Sequence, residues 1–305
     1  MGEIFMSKHK RKPGDTEKQV IEMINDFVIK VQTENRSIEK HRVFTWLQKI
    51  AKIGAYDSLK KDVILYRARL IGNNDDICNT FPFEGFDAKN SMQPPREKTF
   101  AMRANYERIP YLYCSSSAYG AMSEIRPYVN AKISVAEIKV KDELNCFKLD
   151  LPATIHIEDE SAFVEKYITL LVQLSNMFQK PVEVGENGYD YYPTQRIAEY
   201  IKNLGYDAII YKSALDVNAY NYCIFNYEKC DAISTRIYNT TGLTYDFIQN
   251  EKSQHEEELD NRGKVAQLAS AIYKSICGDQ LPNNISTIKK LEKVLITITG
   301  DKNYH

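Results

Sequence analysis

The sequence predicts an α+β fold, with a β-sheet core and helical segments at both ends. Three observations predict it. Near the start of the chain, apolar residues recur at three- and four-residue spacing; the middle is filled by short alternating or apolar runs bounded by turn residues; charged, helix-favouring stretches close the chain. At 305 residues, with 43% hydrophobic and 27% charged side chains, the chain can bury a proper core as one main domain with helical additions.

From Glu17 to Asn35, Val20, Ile21, Ile24, Phe27, Val28 and Val31 mark one face of an amphipathic helix. A second helix is predicted from Phe44 to Ile53, ending near Gly54. DVILYRARL, Asp62 to Leu70, alternates apolar and polar residues as a strand does. Gly72 to Met102 shows no sustained period and reads as a long loop; loops of that length inside a domain are functional or disordered. Its phenylalanines Phe81, Phe83 and Phe86 argue against disorder, so it is expected to fold over a site. A strand follows at Pro110 to Cys114. Any of Ser115, Ser116 and Ser117 could then cap a helix from Ala118 to Ile125, which Pro127 stops.

Strands are predicted at Lys132 to Val140 and Leu144 to Leu149, and a helix at Ser161 to Phe178. Pro193 to Leu204 has proline near its start and Gly205 just past its end, the asymmetry of a helix. DAIIYKS and NYCIFNY read as the next strands, with one or two more between Ile233 and Tyr245. Helices at Glu256 to Ile276 and Ser286 to Ile296 complete the chain. The division this suggests is a helical element over 1–60, a central domain over 61–230, and a strand and helical extension over 231–305.

Forty basic residues balance forty-one acidic ones. Apart from KHKRK at Lys8 to Lys12 there is no clustered positive field, so direct nucleic-acid binding is not indicated. The cysteines Cys78, Cys114, Cys146, Cys223, Cys230 and Cys277 form no CxxC pair, and the histidines His9, His41, His156, His255 and His305 form no ligand pair. Reduced thiols and no metal are expected. No apolar run is long enough for a membrane span and the N-terminus lacks a signal-peptide core, so the expectation is a cytoplasmic protein.

Most of the chemical information lies in RANYERIPYLYCSSSAYGAMSE. It sets Arg103, then Tyr113 on a strand, then Glu124 on the following helix. A guanidinium can fork onto a phosphate, an aromatic ring can stack on a flat or cationic ring, and a carboxylate can stabilise an oxocarbenium-like centre. A pyridine dinucleotide such as NAD combines all three features. Each residue also has a plainer reading: Arg103 pairing with Glu97 or Glu107 at the surface, Tyr113 in the core, and Ser213 as a turn or cap residue. Arg67 and Arg69 share one face of their strand, which is costly without something anionic above them.

LYRARL, PFEGFDAKNSMQPP, RAN, YLYCSSS, MSEIRPY and GYDAIIYKSA, in this order, together resemble the RES-domain family over roughly Asp62 to Tyr227. The resemblance implies an ADP-ribosyltransferase-like fold with a mixed sheet. It places the family's arginine on Arg103, its aromatic on Tyr113, its glutamate on Glu124 and its serine on Ser213, with an earlier pocket arginine on Arg67 or Arg69 and Asn105 as a further substrate-binding group. The family's glycine pair and tryptophan around the arginine are replaced here by AMRAN. The implied activity is cleavage of NAD at the nicotinamide–ribose bond, with NAD as substrate and no cofactor. Glu124, Arg103 and Ser213 would be catalytic, in a bacterial toxin or defence effector restrained by a helix-turn-helix antitoxin. Two rivals stay open: an ADP-ribosyltransferase acting on protein, and a nucleotide-binding module that does not cleave. Self-association and the choice of water or phosphate as acceptor also stay open.

Overall fold

The computed structural model describes residues 13–53, 56–150, 161–180 and 188–244. Among them, 13–23 and 161–170 fall in one compact unit, and the rest form a second that carries the whole sheet.

The first predicted helix is α1 (Pro13–Thr33) and the second α2 (Arg42–Ile53). In the sheet-bearing unit, Phe27 of α1 meets Phe44 of α2 edge-on at 5.6 Å. Phe44 in turn lies 4.5 Å from Tyr200 on α6 (Tyr192–Asn203). Gly205 just beyond α6 has φ +91°, a left-handed conformation that glycine takes without Cβ strain.

Ten strands form one sheet in the order β1-β7-β8-β9-β5-β2-β6-β10-β4-β3. They are β1 (Tyr56–Leu59), β2 (Ile64–Leu70), β3 (Cys78–Thr80), β4 (Phe83–Gly85), β5 (Leu112–Ser115), β6 (Lys132–Val140), β7 (Leu144–Lys148), β8 (Ala208–Lys212), β9 (Tyr220–Ile224) and β10 (Cys230–Asn239). The β7–β8 and β10–β4 pairs are parallel and the others antiparallel, so the sheet is mixed as expected for an α+β protein. The C-terminal helices predicted after Glu256 lie outside the described residues.

Strand β6 is buried on both faces because two layers cover it. Ile133 and Val135 pack with Ala68 and with Ala121 of α4 (Ala118–Glu124). Ala136, Ile138 and Val140 join Leu65, Leu112, Leu144 and Ile224 in the larger core on the other face. The residues alternate with the two-residue period of a strand.

The stretch from Gly72 to Met102 is not a loop. It contains β3, β4, the short helix α3 (Ala88–Ser91) and a 3-10 turn at Arg96–Lys98. Strands of three residues are too short to show a period, which is why the sequence hid them. Asp87 caps α3 by accepting from the Asn90 N–H at 2.7 Å. β1 was missed for the same reason, being only four residues long.

Strands β2 and β5 are the hinge of the architecture. β2 pairs with β6 along its whole length but with β5 only at Tyr66↔Ser115, after which the two part. A cavity of about 400 Å³ opens beside this split and takes side chains from both faces of β2, Tyr66 and Ala68 from one and Arg67 from the other.

Candidate active site

Helix α4 brings the predicted carboxylate to the cavity. The three serines before it divide the work: Ser117 caps the helix, accepting from the Gly120 N–H at 2.9 Å, while Ser115 and Ser116 tie the end of β5 to the start of β9. Ser115 Oγ donates to the Tyr220 carbonyl at 3.3 Å, and the Tyr220 N–H donates to Ser116 Oγ at 2.9 Å. Gly120 lets the helix sit close to these strands, since a Cβ there would fall 2.6 Å from Ser115 Oγ and 2.7 Å from Ala219 Cβ. Glu124, the last helical residue, is thereby held against β8 and β9.

Ser213, buried at the end of β8, donates from Oγ to Glu124 Oε1 at 2.6 Å; it accepts from the Leu215 and Asp216 N–H groups at 3.1 Å each. Asn221 of β9 donates from Nδ2 to the same Glu124 oxygen at 2.7 Å. Two of the predicted catalytic residues are therefore joined directly. Glu124 is an exposed residue, and its partners are a hydroxyl and an amide. Ser213 supports the carboxylate from behind and is not among the residues lining the cavity.

The loop carrying Arg103 and Asn105 is pinned from three sides. The Tyr113 hydroxyl accepts from the Ala104 N–H at 3.2 Å and donates to Asn105 Oδ1 at 2.8 Å. Burial raises the Tyr113 phenol well above its usual range, so it stays a donor. Asn105 Nδ2 donates to the carbonyls of Phe100 and Tyr106, both at 2.9 Å. Gln195 on α6 donates to the carbonyls of Met102 and Asn105, at 2.8 and 2.9 Å. Tyr113 and Asn105 line the cavity, but their polar atoms are engaged in holding this loop.

Arg103 also lines the cavity. Its guanidinium reaches the C-terminal end of α5 (Ser161–Gln179), donating to the Met177 carbonyl at 2.7 Å and to the Lys180 carbonyl, and lies 5.8 Å from the Tyr191 ring centre. A cation there satisfies helix carbonyls that have no partner within the helix.

The two arginines of β2 part company. Arg67 lines the cavity and donates to the Ser91 carbonyl at 3.3 Å, with no carboxylate among the described residues paired to it. Burial pushes its guanidinium down to about 10, partly offset by Cys114, and Arg69 nearby pushes the same way as burial; it remains charged at neutral pH. Arg69 does not line the cavity. It lies 4.2 Å over the Phe86 ring and donates to the Asn90 carbonyl at 2.5 Å.

Around these groups the lining is cationic and aromatic. Among the described residues, Arg67, Lys98, Arg103, Arg126 and Lys180 line the cavity together with one carboxylate, Glu124. Tyr66, Phe100, Tyr191 and Tyr211 supply rings. Tyr211 sits where both charges act on it: burial raises its phenol most, Glu124 raises it further, and Arg103 opposes them. Asn221, Gln195 and Tyr211 were not found from sequence. A polar residue inside the otherwise apolar run YNYCI was the one available signal for Asn221.

The described cysteines, Cys78, Cys114, Cys146, Cys223 and Cys230, are free thiols, and burial raises Cys114 and Cys223 far above the range of a reactive thiolate. No group of three His, Cys, Asp or Glu among the described residues could hold a metal ion. None of the described helices is long and apolar enough to cross a membrane.

The solved M. tuberculosis MbcT-MbcA toxin–antitoxin complex is similar to this chain at 14% identity and a TM-score of 0.36, over 64% of this chain and 92% of that one. No curated protein matches the chain. The RES-domain model matches residues 76–247, which takes in Arg103, Asn105, Tyr113, Glu124 and Ser213 but leaves Arg67 and Arg69 outside. That match spans more than half of the 305 residues, and the chain belongs to the RES-domain family.

Proposed function

We propose that this chain cleaves NAD at the bond between nicotinamide and ribose. The observation that carries the reading is the charge of the cavity: among the described residues five cations and one carboxylate line it, and one of those cations, Arg67, has no counter-carboxylate among them. An unpaired cation facing a cavity is stabilised by an anionic ligand. The cavity volume of about 400 Å³ lies within the roughly 300–1,000 Å³ of small-molecule sites.

In this reading Arg67 and Arg103 take the pyrophosphate, Arg103 exchanging the carbonyls of Met177 and Lys180 for phosphate oxygens. Tyr113 and the neighbouring rings pack against the nicotinamide or its ribose. The glycosidic bond breaks with its electron pair going to nicotinamide, which leaves neutral. Positive charge then develops on the ribose, and the Glu124 carboxylate, held by Ser213 and Asn221, stabilises it. Water or inorganic phosphate adds to the ribose carbon; addition of water releases a proton.

Membership of the RES family supports the biological reading of a toxin or defence effector that depletes NAD under the restraint of an antitoxin protein. The deciding experiment is a nicotinamide-release assay on the full chain with and without inorganic phosphate. Release without phosphate identifies water as acceptor, and release that requires phosphate identifies a phosphorylase. Intact NAD recovered after long incubation rejects cleavage in favour of a binding module. Label from NAD entering protein in a cell lysate shifts the reading to an ADP-ribosyltransferase.

A further inference from the structure

Asn221 is a polar side chain in an unfavourable place. It lies in the interior of the sheet, paired with Ser115 of β5 on one side and Tyr211 of β8 on the other, and is only 6% exposed. Its neighbours Tyr222, Cys223 and Ile224 are buried. Asparagine is among the residues depleted in strands, and a buried amide costs free energy unless it is bonded. Its amide spends a bond on Glu124 Oε1 at 2.7 Å, the oxygen that Ser213 Oγ also reaches at 2.6 Å. No donor among the described residues reaches Oε2.

We propose that Asn221 is a positioning residue for the Glu124 carboxylate. The proposal rests on the reading of Glu124 as the group that stabilises the ribosyl cation. Glu124 stands at the last turn of a seven-residue helix and is exposed, so without restraint its side chain would sample several rotamers. Ser213 and Asn221 come from two adjacent strands and converge on one oxygen. Two donors from different elements fix the plane of the carboxylate as well as its position, and they leave Oε2 as the oxygen offered to the cavity. A charge fixed beforehand stabilises a developing cation without reorganising during the reaction. Ser213 alone leaves the carboxylate free to rotate about a single bond; Asn221 removes that freedom.

The test uses the full chain, with Asn221→Ala and the near-isosteric Asn221→Leu, which keeps the shape, adds no charge and cannot donate. In steady-state NAD cleavage, kcat should fall about ten- to a hundredfold, the loss of one bond to a charged group, while KM stays within about twofold. Asn221→Ala placed in the Glu124→Gln background should add almost nothing, because the residue acts through the carboxylate. An equal loss in both backgrounds, or unchanged kcat, overturns the proposal. Circular dichroism identifies a variant that fails to fold, and the near-isosteric form then decides. The side-chain amide signal of Asn221 in proton–nitrogen NMR supplies a readout free of turnover: it should move in Glu124→Gln, and an unmoved signal overturns the hold. If the unaltered chain releases no nicotinamide, the glycosidic reading fails by itself, and the NMR result still decides whether Asn221 holds the carboxylate.

Discussion

Ser213 Oγ and Glu124 Oε1 lie 2.6 Å apart although 89 positions separate them in the chain. The contact joins the end of β8 to the end of α4 and turns two separate polar residues into one unit, with the hydroxyl behind and the carboxylate in front. Because Ser213 also accepts from two backbone N–H groups, its proton is directed at the carboxylate.

Glu124→Gln keeps the size of the side chain and its capacity to accept from Ser213 and Asn221, but removes the charge. NAD should bind with little change while nicotinamide release falls a few hundredfold, about 3–4 kcal/mol of lost electrostatic stabilisation. The melting temperature should change little, because Glu124 is exposed and pairs with no arginine among the described residues. Calorimetric titration with NAD and a turnover assay on the same sample check both parts. Normal turnover sinks the catalytic assignment.

Gly120→Ala should damage the same step from a distance. The added methyl meets Ser115 Oγ and Ala219 Cβ at distances no packed carbon tolerates, so α4 must lift from the strands and carry Glu124 with it. Overpacking of this kind costs about 1–3 kcal/mol. The expected result is a lower melting temperature and, in the fraction still folded, a loss of turnover larger than the loss of NAD affinity. A variant as stable and active as the unaltered chain would show that α4 can shift without moving its carboxylate.

The legibility of the sequence divides along the length of the signal. The long strand β6 and the helices α1, α2, α5 and α6 show sustained periods and were readable; β1, β3 and β4 are too short to carry one. At the site, the order of Arg103, Tyr113, Glu124 and Ser213 was readable through the resemblance to the RES-domain family rather than through local periodicity, since Arg103 lies in a loop. What each side chain touches was not, because that depends on contacts between distant elements. The alternation of β2 correctly set Arg67 and Arg69 on one face, yet one step along the strand separates a cavity arginine from one stacked on Phe86. The amide of Asn105 and the hydroxyl of Tyr113 look in sequence like ligand groups; in the fold they bond each other and the loop between them.

Acid stability should depend on Asp207. Burial pushes its carboxyl up, but the Lys229 ammonium at 2.8 Å, the Asn145 N–H at 2.9 Å and the Asn226 amide at 3.1 Å outweigh it and hold it below the usual carboxylate range. A depressed carboxyl contributes stability that is complete above the unfolded value, about 3.9, and is lost as pH falls through the lower folded value. Asp207→Asn should therefore cost about 1 kcal/mol at pH 7, allowing for partial solvent screening. The gap between the two melting curves should close below about pH 4. A gap that stays constant down to pH 3 would mean that the ionised carboxylate is not what the three donors recognise.

Arg103→Lys separates two roles that the structure superimposes. The guanidinium spans two carbonyls at the end of α5, Met177 and Lys180, and an ammonium cannot fork across both. The variant without NAD should lose about 1.5–3 kcal/mol, the worth of a bond from a charged donor, with the melting temperature falling about 2–4 °C for each kcal/mol. If Arg103 also takes the pyrophosphate, NAD affinity falls about ten- to a hundredfold, because the same fork geometry is lost on the phosphates. The two effects come from different states of one side chain, so they are measured separately: thermal melting of the free protein reports the hold on α5, and NAD titration at a temperature where both forms are folded reports the phosphate contact. A lower melting temperature with unchanged NAD affinity assigns Arg103 to the wall of the cavity and leaves the pyrophosphate to Arg67.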